Sequence, residues 1–343
     1  MNSMRDNNIF KEFGIPKDRF LKAKIAFFVN WDLYIASDIF QPHLLNKLFF
    51  RCLNLQQLGH VRKPRMVLLS HGISEKKLTF EDDSKRIYSL LASYDKVFFS
   101  SKAQYDRLSK LYAGYFENNF EYVGYPRLLQ LINKTYDKEK LKKKLKIQNN
   151  LPIILFAPTW GRYGSLEQFG TRILEQLLSL NANVLFKMHD NTYFRISHAV
   201  EKNQLNLDKF QRIPNFHVIS ESDIYPYLHL TDMLIGDYGS LIFEYLALKK
   251  PAIFLDLSLH NSQVVSNFHK LELLRKSCIT ISSPNELEEA LNLAKADSSE
   301  LSVCRQELIK EYVEKAPYAV EHTVKSIRNL LNLGNSIQRE CND

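Results

Sequence analysis

Short apolar runs alternate with polar, helix-favouring segments along almost the whole chain. In the first half, four runs have the length of single strands and are rich in β-branched and aromatic residues. They are KIAFFVNW (24–31), RMVLLSHG (65–72), KVFFSS (96–101) and FEYVGYP (120–126). Strands that are apolar throughout are typically buried on both faces of a sheet, and the segments between them favour helices. The first half is therefore predicted to consist of βα units.

The same alternation resumes at residue 151, after a highly charged stretch. The predicted strands are LPIILFAP, ANVLFKMH, NFHVIS, DMLIGD, PAIFLD and CITISS, and the predicted helices include RILEQLLSL, SLIFEYLAL and PNELEEALNLA. Buried strands separated by helices indicate a parallel sheet covered on both faces. The predicted fold class is α/β, with two facing doubly wound, Rossmann-like domains of parallel sheet and a C-terminal helix.

A chain of 343 residues is long enough for two domains with separate cores. We expect an N-terminal domain over residues 1–135, a basic linker or helix over 136–150, a C-terminal domain over 151–320, and a terminal helix and tail over 321–343. The last apolar residues recur at helical spacing, which predicts an amphipathic helix. The residues expected near one face of that helix are Val320, Val324, Ile327, Leu330 and Leu331.

The net charge of +8 at neutral pH favours an anionic partner, such as a phosphorylated substrate or an acidic membrane surface. Much of the excess lies in KTYDKEKLKKKLKIQ (134–148). A run of this kind is typical of a solvated helix face or a linker, and it also fits peripheral association with an anionic membrane. Its lysine-rich part, KEKLKKKLKIQ, has no interleaved aromatic residues, so nucleic acid is not an expected partner.

Cysteine spacing and the apolar runs indicate the compartment. The four cysteines are scattered without metal-ligand spacing, and the first 20 residues lack the long apolar core of a signal peptide. The chain has no run of about 20 apolar residues, the length that a bilayer-spanning helix needs. We therefore expect a cytoplasmic protein, peripheral on the cytoplasmic face of the membrane. No cofactor is expected, and no feature of the sequence calls for a metal.

Polar segments at the ends of predicted strands are the candidate sites, because ligands of open parallel sheets bind outside the carboxyl ends of the strands. The segment GDYGS (236–240) joins a strand to a helix that begins near Ser240. The first amides of that helix and the Ser240 hydroxyl could bind a phosphate, and Gly239 allows close approach. Alternatively, Asp237 or Ser240 only caps the helix.

Three other strand ends carry groups that bind phosphate or move protons. His189 ends the strand of KMHD (187–190), with Lys187 on the same face, and a histidine there can donate to a phosphate or carry a proton. In APTWGR (157–162), Thr159 and Arg162 offer a hydroxyl and a guanidinium. His71, in SHG (70–72), could act as a base on an acceptor hydroxyl. For both histidines, a purely structural role is the alternative.

Other chemistries are poorly supported by the sequence. The chain has no GxxxxGK[ST] loop, GxGxxG turn, GxSxG elbow or HExxH helix, which argues against P-loop hydrolysis, dehydrogenation and serine esterase chemistry. No spaced pair of carboxylates indicates a glycosidase.

Taken in order, these segments resemble the CDP-glycerol glycerophosphotransferase family, which builds teichoic acids and related capsule polymers. SHGISEKK is similar to the family's HGTPLK, GYPR to G-x-PR, FAPTWGR to APTFR and KMHD to KLHP. TDMLIGDYGSLIFEYLALKKPAIF is similar to ADxLITDYSSxxFDxxxxxKPxxF and is the most specific match. Gly239 stands where the family has serine, and Glu244 where it has aspartate.

The resemblance implies a GT-B fold and transfer of a polyol phosphate from CDP-glycerol, or another CDP-polyol, to a hydroxyl of a lipid-linked or polymeric glycan, with release of CMP. It makes His71 the base and His189 a second catalytic residue. The residues that it implies for the donor phosphates and nucleotide are Thr159, Arg162, Lys187, Asp237, Gly239, Ser240 and Glu244. On the acceptor side it implies Lys76 and Arg127.

Two other functions fit the same residues. A GT-B glycosyltransferase that uses a nucleotide-activated sugar would need the same histidine base and pyrophosphate site. A non-catalytic module that binds anionic polymers or membranes would depend on the basic run instead, and would not need His71.

Overall fold

The computed structural model describes residues 26–27, 33–36, 65–69, 73, 91–92, 94–115, 118–160, 164–189, 208–258, 260 and 271–331. The chain divides into two compact units. The first comprises Met1–Gly72, Phe80–Gly124 and Tyr318–Asp343, and the second comprises Ile73–Thr79 and Tyr125–Pro317. The domain boundaries given above stay a prediction.

The first unit contains a sheet whose described strands follow the chain order. They are β1 (Ala26–Phe27), β2 (Leu33–Ala36), β3 (Arg65–Leu69), β4 (Lys96–Phe99) and β5 (Phe120–Tyr122), with helix α1 (Lys102–Leu111) after β4. Strands β2 to β5 are parallel, whereas β1 is antiparallel to β2. Only residues 28–32 connect β1 to β2, which is too short for the crossover that a parallel pair needs. The edge of this sheet thus departs from the expected parallel order.

The terminal helix packs differently from the sequence prediction. Ile327 and Leu330 do pack against the buried side chains of the first sheet. Val320 and Val324, however, are 51% and 42% exposed. Small and hydroxyl-bearing residues of the same helix are buried instead, namely Ala316, Ala319, Thr323 and Ser326. The predicted apolar face is therefore wrong for the two valines, because short side chains occupy the tightly packed side of the helix.

The second unit contains a sheet in which every described pair of neighbouring strands is parallel. Its strands are β6 (Ile153–Ala157), β7 (Asn183–Phe186), β8 (Phe216–Val218), β9 (Met233–Gly236), β10 (Ala252–Leu255) and β11 (Ile279–Ile281). Their spatial order is β11-β10-β9-β6-β7-β8. The six predicted strands of the second half are all confirmed. The four inner strands are buried throughout, as expected of a sheet covered on both faces, whereas the edge strands β8 and β11 are only partly buried.

Helices connect these strands. In the described part of the second unit they are α2 (Pro126–Asn133), α3 (Lys138–Leu145), α4 (Ser165–Phe169), α5 (Arg172–Ser179), α6 (Asp208–Gln211), α7 (Tyr225–Leu230), α8 (Leu241–Leu246), α9 (Leu271–Ser277), α10 (Leu287–Ala296) and, up to Pro317, α11 (Ser299–Leu330). A 3₁₀ turn, Pro284–Glu286, precedes α10. No helix within the described ranges is long and apolar enough to cross a bilayer.

Candidate active site

The candidate site lies where the strand order of the second sheet reverses. The chain runs from β6 outward through β7 to β8, and then crosses to β9 on the other side of β6. In doubly wound sheets, ligands bind in the crevice at this switch point. The strand ends are level, since Ala157 and Phe254 both pair with Gly236 and Phe156 pairs with Phe186. The segments that follow β6, β7 and β9 therefore meet at one edge of the sheet.

Asp237 joins two of these segments. Its side chain is 1% exposed. Its Oδ1 accepts a hydrogen bond from the Thr159 amide at 2.8 Å, and its Oδ2 accepts from both the amide and the hydroxyl of Ser165 at 2.8 Å. Ser165 is the first residue of α4. One buried carboxylate thus fixes both ends of the loop that follows β6, a role that the sequence does not reveal.

The alternative that this corner only caps helix α8 is not supported by the contacts. Ser240 occupies the N-cap position, yet its side chain makes no capping hydrogen bond. The carboxylate of Asp237 turns to the β6 loop and α4 instead. Helix α8 has only six residues, so its dipole is weak and would by itself hold an anion poorly.

Gly239 has room for a side chain. A Cβ at this position would have Thr159 Cβ as its nearest neighbour, at 3.8 Å, which is an ordinary van der Waals contact. Its backbone also lies outside the left-handed region. The absence of the family's serine is therefore not imposed by packing.

Tyr238 is tied to the next strand. Its hydroxyl donates to Asp256, the residue directly after β10. Asp256 also accepts from Arg275 Nε at 2.7 Å and from the Ser258 amide at 2.9 Å. Although burial opposes the charge of Asp256, these donors lower its pKa, and burial together with Asp256 raises the pKa of Tyr238. Tyr238 thus links the corner to the end of β10 by a hydrogen bond, as Asp237 links it to the β6 loop.

The histidine candidate lies beside an aromatic ring. His189 is exposed, and its ring centroid is 6.1 Å from that of Trp160. Of the two residues before His189, Met188 is buried and Lys187 is half-buried. The Lys187 amide donates to the Phe156 carbonyl at 3.0 Å, which continues the pairing of β6 and β7 past the end of the strand. Lys187 and His189 therefore leave the sheet edge next to the β6 segment.

Glu244 is buried and contacts the GYPR segment. Its side chain is 5% exposed, and its Oε1 accepts a hydrogen bond from the Tyr125 hydroxyl at 3.3 Å. The Arg127 guanidinium lies 4.8 Å from the centroid of the Tyr225 ring. Burial first, and then the charge of Glu244, raise the pKa of both Tyr125 and Tyr225. Arg127 belongs to the second unit, and its predicted contact with an acceptor stays a prediction.

Three predicted site residues, His71, Lys76 and Arg162, lie outside the described residues. Arg162 falls between Thr159 and Ser165, the two residues that Asp237 holds. The sequence prediction missed Tyr125, Tyr225, Tyr238 and Asp256. Asp256 could have been found, because it follows a strand as Asp237 does. Tyr125 and Tyr238 gave no signal beyond their place in GYPR and GDYGS, and Tyr225 lies in neither motif. Among the described side chains, no group of three or more His, Cys, Asp or Glu could hold a metal ion.

Solved structures share the fold. The wall teichoic acid polymerase TagF matches with a TM-score of 0.54 and 17% identity, over 78% of this chain and 68% of that one. HepE from Anabaena, in complex with UDP and glucose, matches with a TM-score of 0.53 and 12% identity, over 86% of this chain and 77% of that one. These likenesses confirm the predicted GT-B-like α/β fold.

Sequence relatives point to one family. The teichoic acid ribitol-phosphate polymerase TarK of Staphylococcus aureus is 30% identical over 259 residues, 73% of this chain and 48% of its own length. A teichoic acid poly(glycerol phosphate) polymerase of Bacillus spizizenii is 28% identical over 211 residues, 57% of this chain and 52% of its own. The chain thus spans about half the length of these curated relatives.

A family model matches residues 46–263, well over half of the chain, and this range contains all the motif segments described above. The model is that of the CDP-glycerol:poly(glycerophosphate) glycerophosphotransferases. The chain belongs to this family.

Proposed function

We propose that the protein transfers glycerol phosphate, or a related polyol phosphate, from CDP-glycerol or another CDP-polyol to a hydroxyl of a polymeric or lipid-linked glycan. The acceptor oxygen attacks the phosphorus that carries the polyol, the bond from this phosphorus to CMP breaks, and CMP leaves. The product is a phosphodiester in a teichoic acid or a capsule-like polymer. The observation that carries this proposal is the family match over residues 46–263, which includes the three segments that meet at the switch point.

The site residues divide the work of such a transfer. His71 removes the proton of the acceptor hydroxyl. Arg162, Lys187, His189 and Ser240 bind and neutralise the phosphates, because in-line phosphoryl transfer needs fixed positive charge and an oriented nucleophile. These roles rest on the resemblance of the motifs. For Lys187, His189 and Ser240, they are also supported by their position at the same edge of the second sheet.

Calorimetry with CDP-glycerol, CDP-ribitol and UDP-glucose tests the donor. We expect binding of a CDP-polyol and no binding of the UDP-sugar. Product analysis then distinguishes the reactions, since polyol phosphate transfer releases CMP and forms a phosphodiester, whereas sugar transfer forms a glycosidic bond. Preference for UDP-glucose would contradict the proposal and favour the nucleotide-sugar alternative. The fold alone permits that alternative, as HepE holds UDP and glucose.

The variant His71→Ala tests the base. General-base catalysis contributes about 10²–10⁴-fold to the rate. Turnover should therefore fall by about 100-fold or more, while the affinity for CDP-glycerol stays unchanged. His322→Ala, which removes an exposed histidine of α11, is the control and should keep full activity. Turnover of His71→Ala at the wild-type rate would remove His71 from the mechanism.

The proposal also includes the location of the protein, which is peripheral association with an anionic membrane surface. Helix α3 exposes Lys140 and Lys143. Each basic residue near an anionic leaflet contributes about 1 kcal/mol, so Lys140→Glu/Lys143→Glu should reduce sedimentation with phosphatidylserine-containing vesicles. Lys295→Glu/Lys325→Glu, at exposed positions of α10 and α11, is the matched control. Equal sedimentation with neutral and anionic vesicles would contradict the association.

A further inference from the structure

Arg275, in helix α9, is bonded to the residues that follow β10. Its Nε donates to Asp256 Oδ2 at 2.7 Å, and its Nη2 donates to Ser258 Oγ at 3.1 Å. The remaining nitrogen, Nη1, is paired with Glu272, one turn earlier in α9. Each nitrogen of the planar guanidinium thus has a partner within the second unit, which fixes its orientation.

Asp256 connects this arginine to the GDYGS corner. Its two carboxylate oxygens have different partners: Oδ2 accepts from Arg275, and Oδ1 accepts from the Tyr238 hydroxyl and the Ser258 amide. Asp256 is 6% exposed and Tyr238 is 1% exposed. Tyr238 directly precedes Gly239 in the corner. A chain of buried side-chain bonds therefore runs from α9 through Asp256 to the corner.

The charge of Asp256 strengthens the bond that reaches the corner. Burial opposes this charge, but hydrogen bonds from Tyr238, Arg275 and Ser258 lower the pKa of the carboxyl. A hydrogen bond to a charged acceptor is about twice as strong as one between neutral groups. Arg275 supplies the positive charge among these donors, and a buried carboxylate loses much stability when its paired cation is removed.

The motif comparison assigns no role to this arginine. The family match ends at residue 263, so it includes Tyr238 and Asp256 but not Arg275. The contacts of Arg275 nevertheless lead to the most specific of the motif segments.

We propose that Arg275 is a positioning residue of the donor corner: through Asp256 it holds Tyr238, and so fixes the backbone of Gly239 and Ser240 for an anionic donor. The identity of the donor rests on the proposed function, whereas the coupling of Arg275 to Tyr238 does not.

Thermal unfolding of the full chain tests the coupling without any ligand. Arg275→Gln removes a charged donor from buried Asp256, so we expect the Tm to fall by about 3 °C or more. The lost pairing with Glu272 matters little, because that side chain is 77% exposed. Tyr238→Phe should also lower the Tm, and the double variant should lose clearly less than the sum, since both changes act through Asp256. Additive losses would overturn the coupling.

A second cycle is the control for this measurement. Arg275→Gln combined with Tyr245→Phe should give additive losses, since the Tyr245 hydroxyl contacts the Thr231 carbonyl instead. If this pair were as strongly coupled as Arg275 and Tyr238, the coupling would be a general loss of stability, and the proposal would be wrong.

Calorimetry with CDP-glycerol tests the effect on the donor. Arg275→Gln should weaken binding about tenfold through displacement of the corner, while the KM for the acceptor stays unchanged. In the Tyr238→Phe background, the same change should weaken binding by no more than about twofold. Arg65→Gln is the matched control, because it removes an Arg65–Asp95 bond of 2.8 Å in the first unit, and it should keep the wild-type affinity.

Other results would overturn the proposal. A full tenfold loss in the Tyr238→Phe background would mean that Arg275 acts independently of Tyr238, as a direct ligand does. Unchanged donor affinity in Arg275→Gln would show that the corner does not depend on this arginine. An equal rise in the KM of donor and acceptor would indicate a general structural defect.

Two further measurements keep the test decisive. If Arg275→Gln does not fold, Ser258→Ala replaces it, because this change removes the acceptor of Nη2 and keeps the amide that donates to Asp256. It should lower donor affinity about two- to threefold, and an unchanged affinity would contradict the proposal. If the wild-type protein binds neither CDP-glycerol nor CDP-ribitol, the proposed function fails and the donor role with it, whereas the unfolding cycle still decides the coupling.

Discussion

The two halves of the GDYGS corner differ in what their side chains contact. Asp237 and Tyr238 are buried, and each is bonded to the end of a neighbouring part of the sheet, Asp237 to the β6 loop and Tyr238 to Asp256 after β10. Gly239 and Ser240 are half-buried; Ser240 makes no capping bond, and Gly239 has room for a Cβ.

This difference divides the motif into a half that holds the sheet ends together and a half whose proposed role is to bind a ligand. The first two residues join β6, β9 and β10 at their carboxyl ends, so the corner is held from both sides. The next two residues take no part in these bonds, and their proposed role is to bind the ligand. Four substitutions test this division, ordered by their expected effect on the free energy of unfolding.

Asp237→Ala should have the largest effect. It leaves the buried amides of Thr159 and Ser165 without their acceptor, and each such loss costs about 1–3 kcal/mol. We expect urea denaturation to give a loss of about 3 kcal/mol. Asp232→Ala is the matched control, because Asp232 is exposed at the other end of β9 and accepts one bond from the Ile153 amide. Equal losses in the two variants would remove the special role of Asp237.

Tyr238→Phe should have a smaller effect, since Asp256 keeps Arg275 and the Ser258 amide as donors. The loss of one bond to a charged group should cost about 1.5 kcal/mol at neutral pH. The pKa of Asp256 is lowered in the folded state, so its charge stabilises the fold above the usual aspartate range. That stabilisation is lost as the pH falls through the lowered pKa.

The difference between Tyr238→Phe and the wild type should therefore shrink in acid. Urea denaturation at several pH values measures it. Tyr245→Phe is the control, because the Tyr245 hydroxyl makes only a 3.5 Å contact with the Thr231 carbonyl. A gap between Tyr238→Phe and the wild type that does not change with pH would argue against the charged Asp256 as its cause.

Ser240→Ala should change stability by less than about 0.5 kcal/mol, because no capping bond is lost. Ser101→Ala is the comparison, since the Ser101 hydroxyl caps α1 by accepting from the Gln104 amide, and should cost about 1 kcal/mol. If the two serines cost the same, Ser240 is a structural cap. Reduced affinity of the Ser240 variant for CDP-glycerol, at unchanged stability, would support the ligand role.

Gly239→Ser should have the smallest effect, within about 0.5 kcal/mol of the wild type, because its Cβ meets only ordinary contacts. Gly170→Ser is the control, since Gly170 also has open space but a φ of +58°. There a positive φ combined with a ψ of −140°, a conformation that side chains disfavour, should cost about 1–3 kcal/mol. Urea denaturation of the two variants distinguishes a lack of space for the side chain from strain in the backbone. A larger loss at position 239 would show that the glycine is required.

The sequence predicted the second sheet better than the first. Six apolar runs gave β6 to β11, because strands buried on both faces leave an uninterrupted pattern. The short strand β2 and the antiparallel direction of β1 were not foreseen, since they depend on the length of a connection and on the pairing of strands. Val320 and Val324 were assigned to the wrong side for a similar reason: helical spacing gives a stripe, and the neighbouring sheet decides which stripe is buried.

For the site, the sequence by itself determined the chemistry at each strand end: the hydroxyl of Ser240, the imidazole of His189, the lysine and the aspartates, in the order of a known family. Only the tertiary structure decided the partners of these groups. It turned Asp237 towards Thr159 and Ser165, Tyr238 towards Asp256, and Glu244 towards Tyr125. The reason is that these hydrogen bonds join residues between 18 and 119 positions apart, and no local pattern encodes which residue a buried carboxylate will meet.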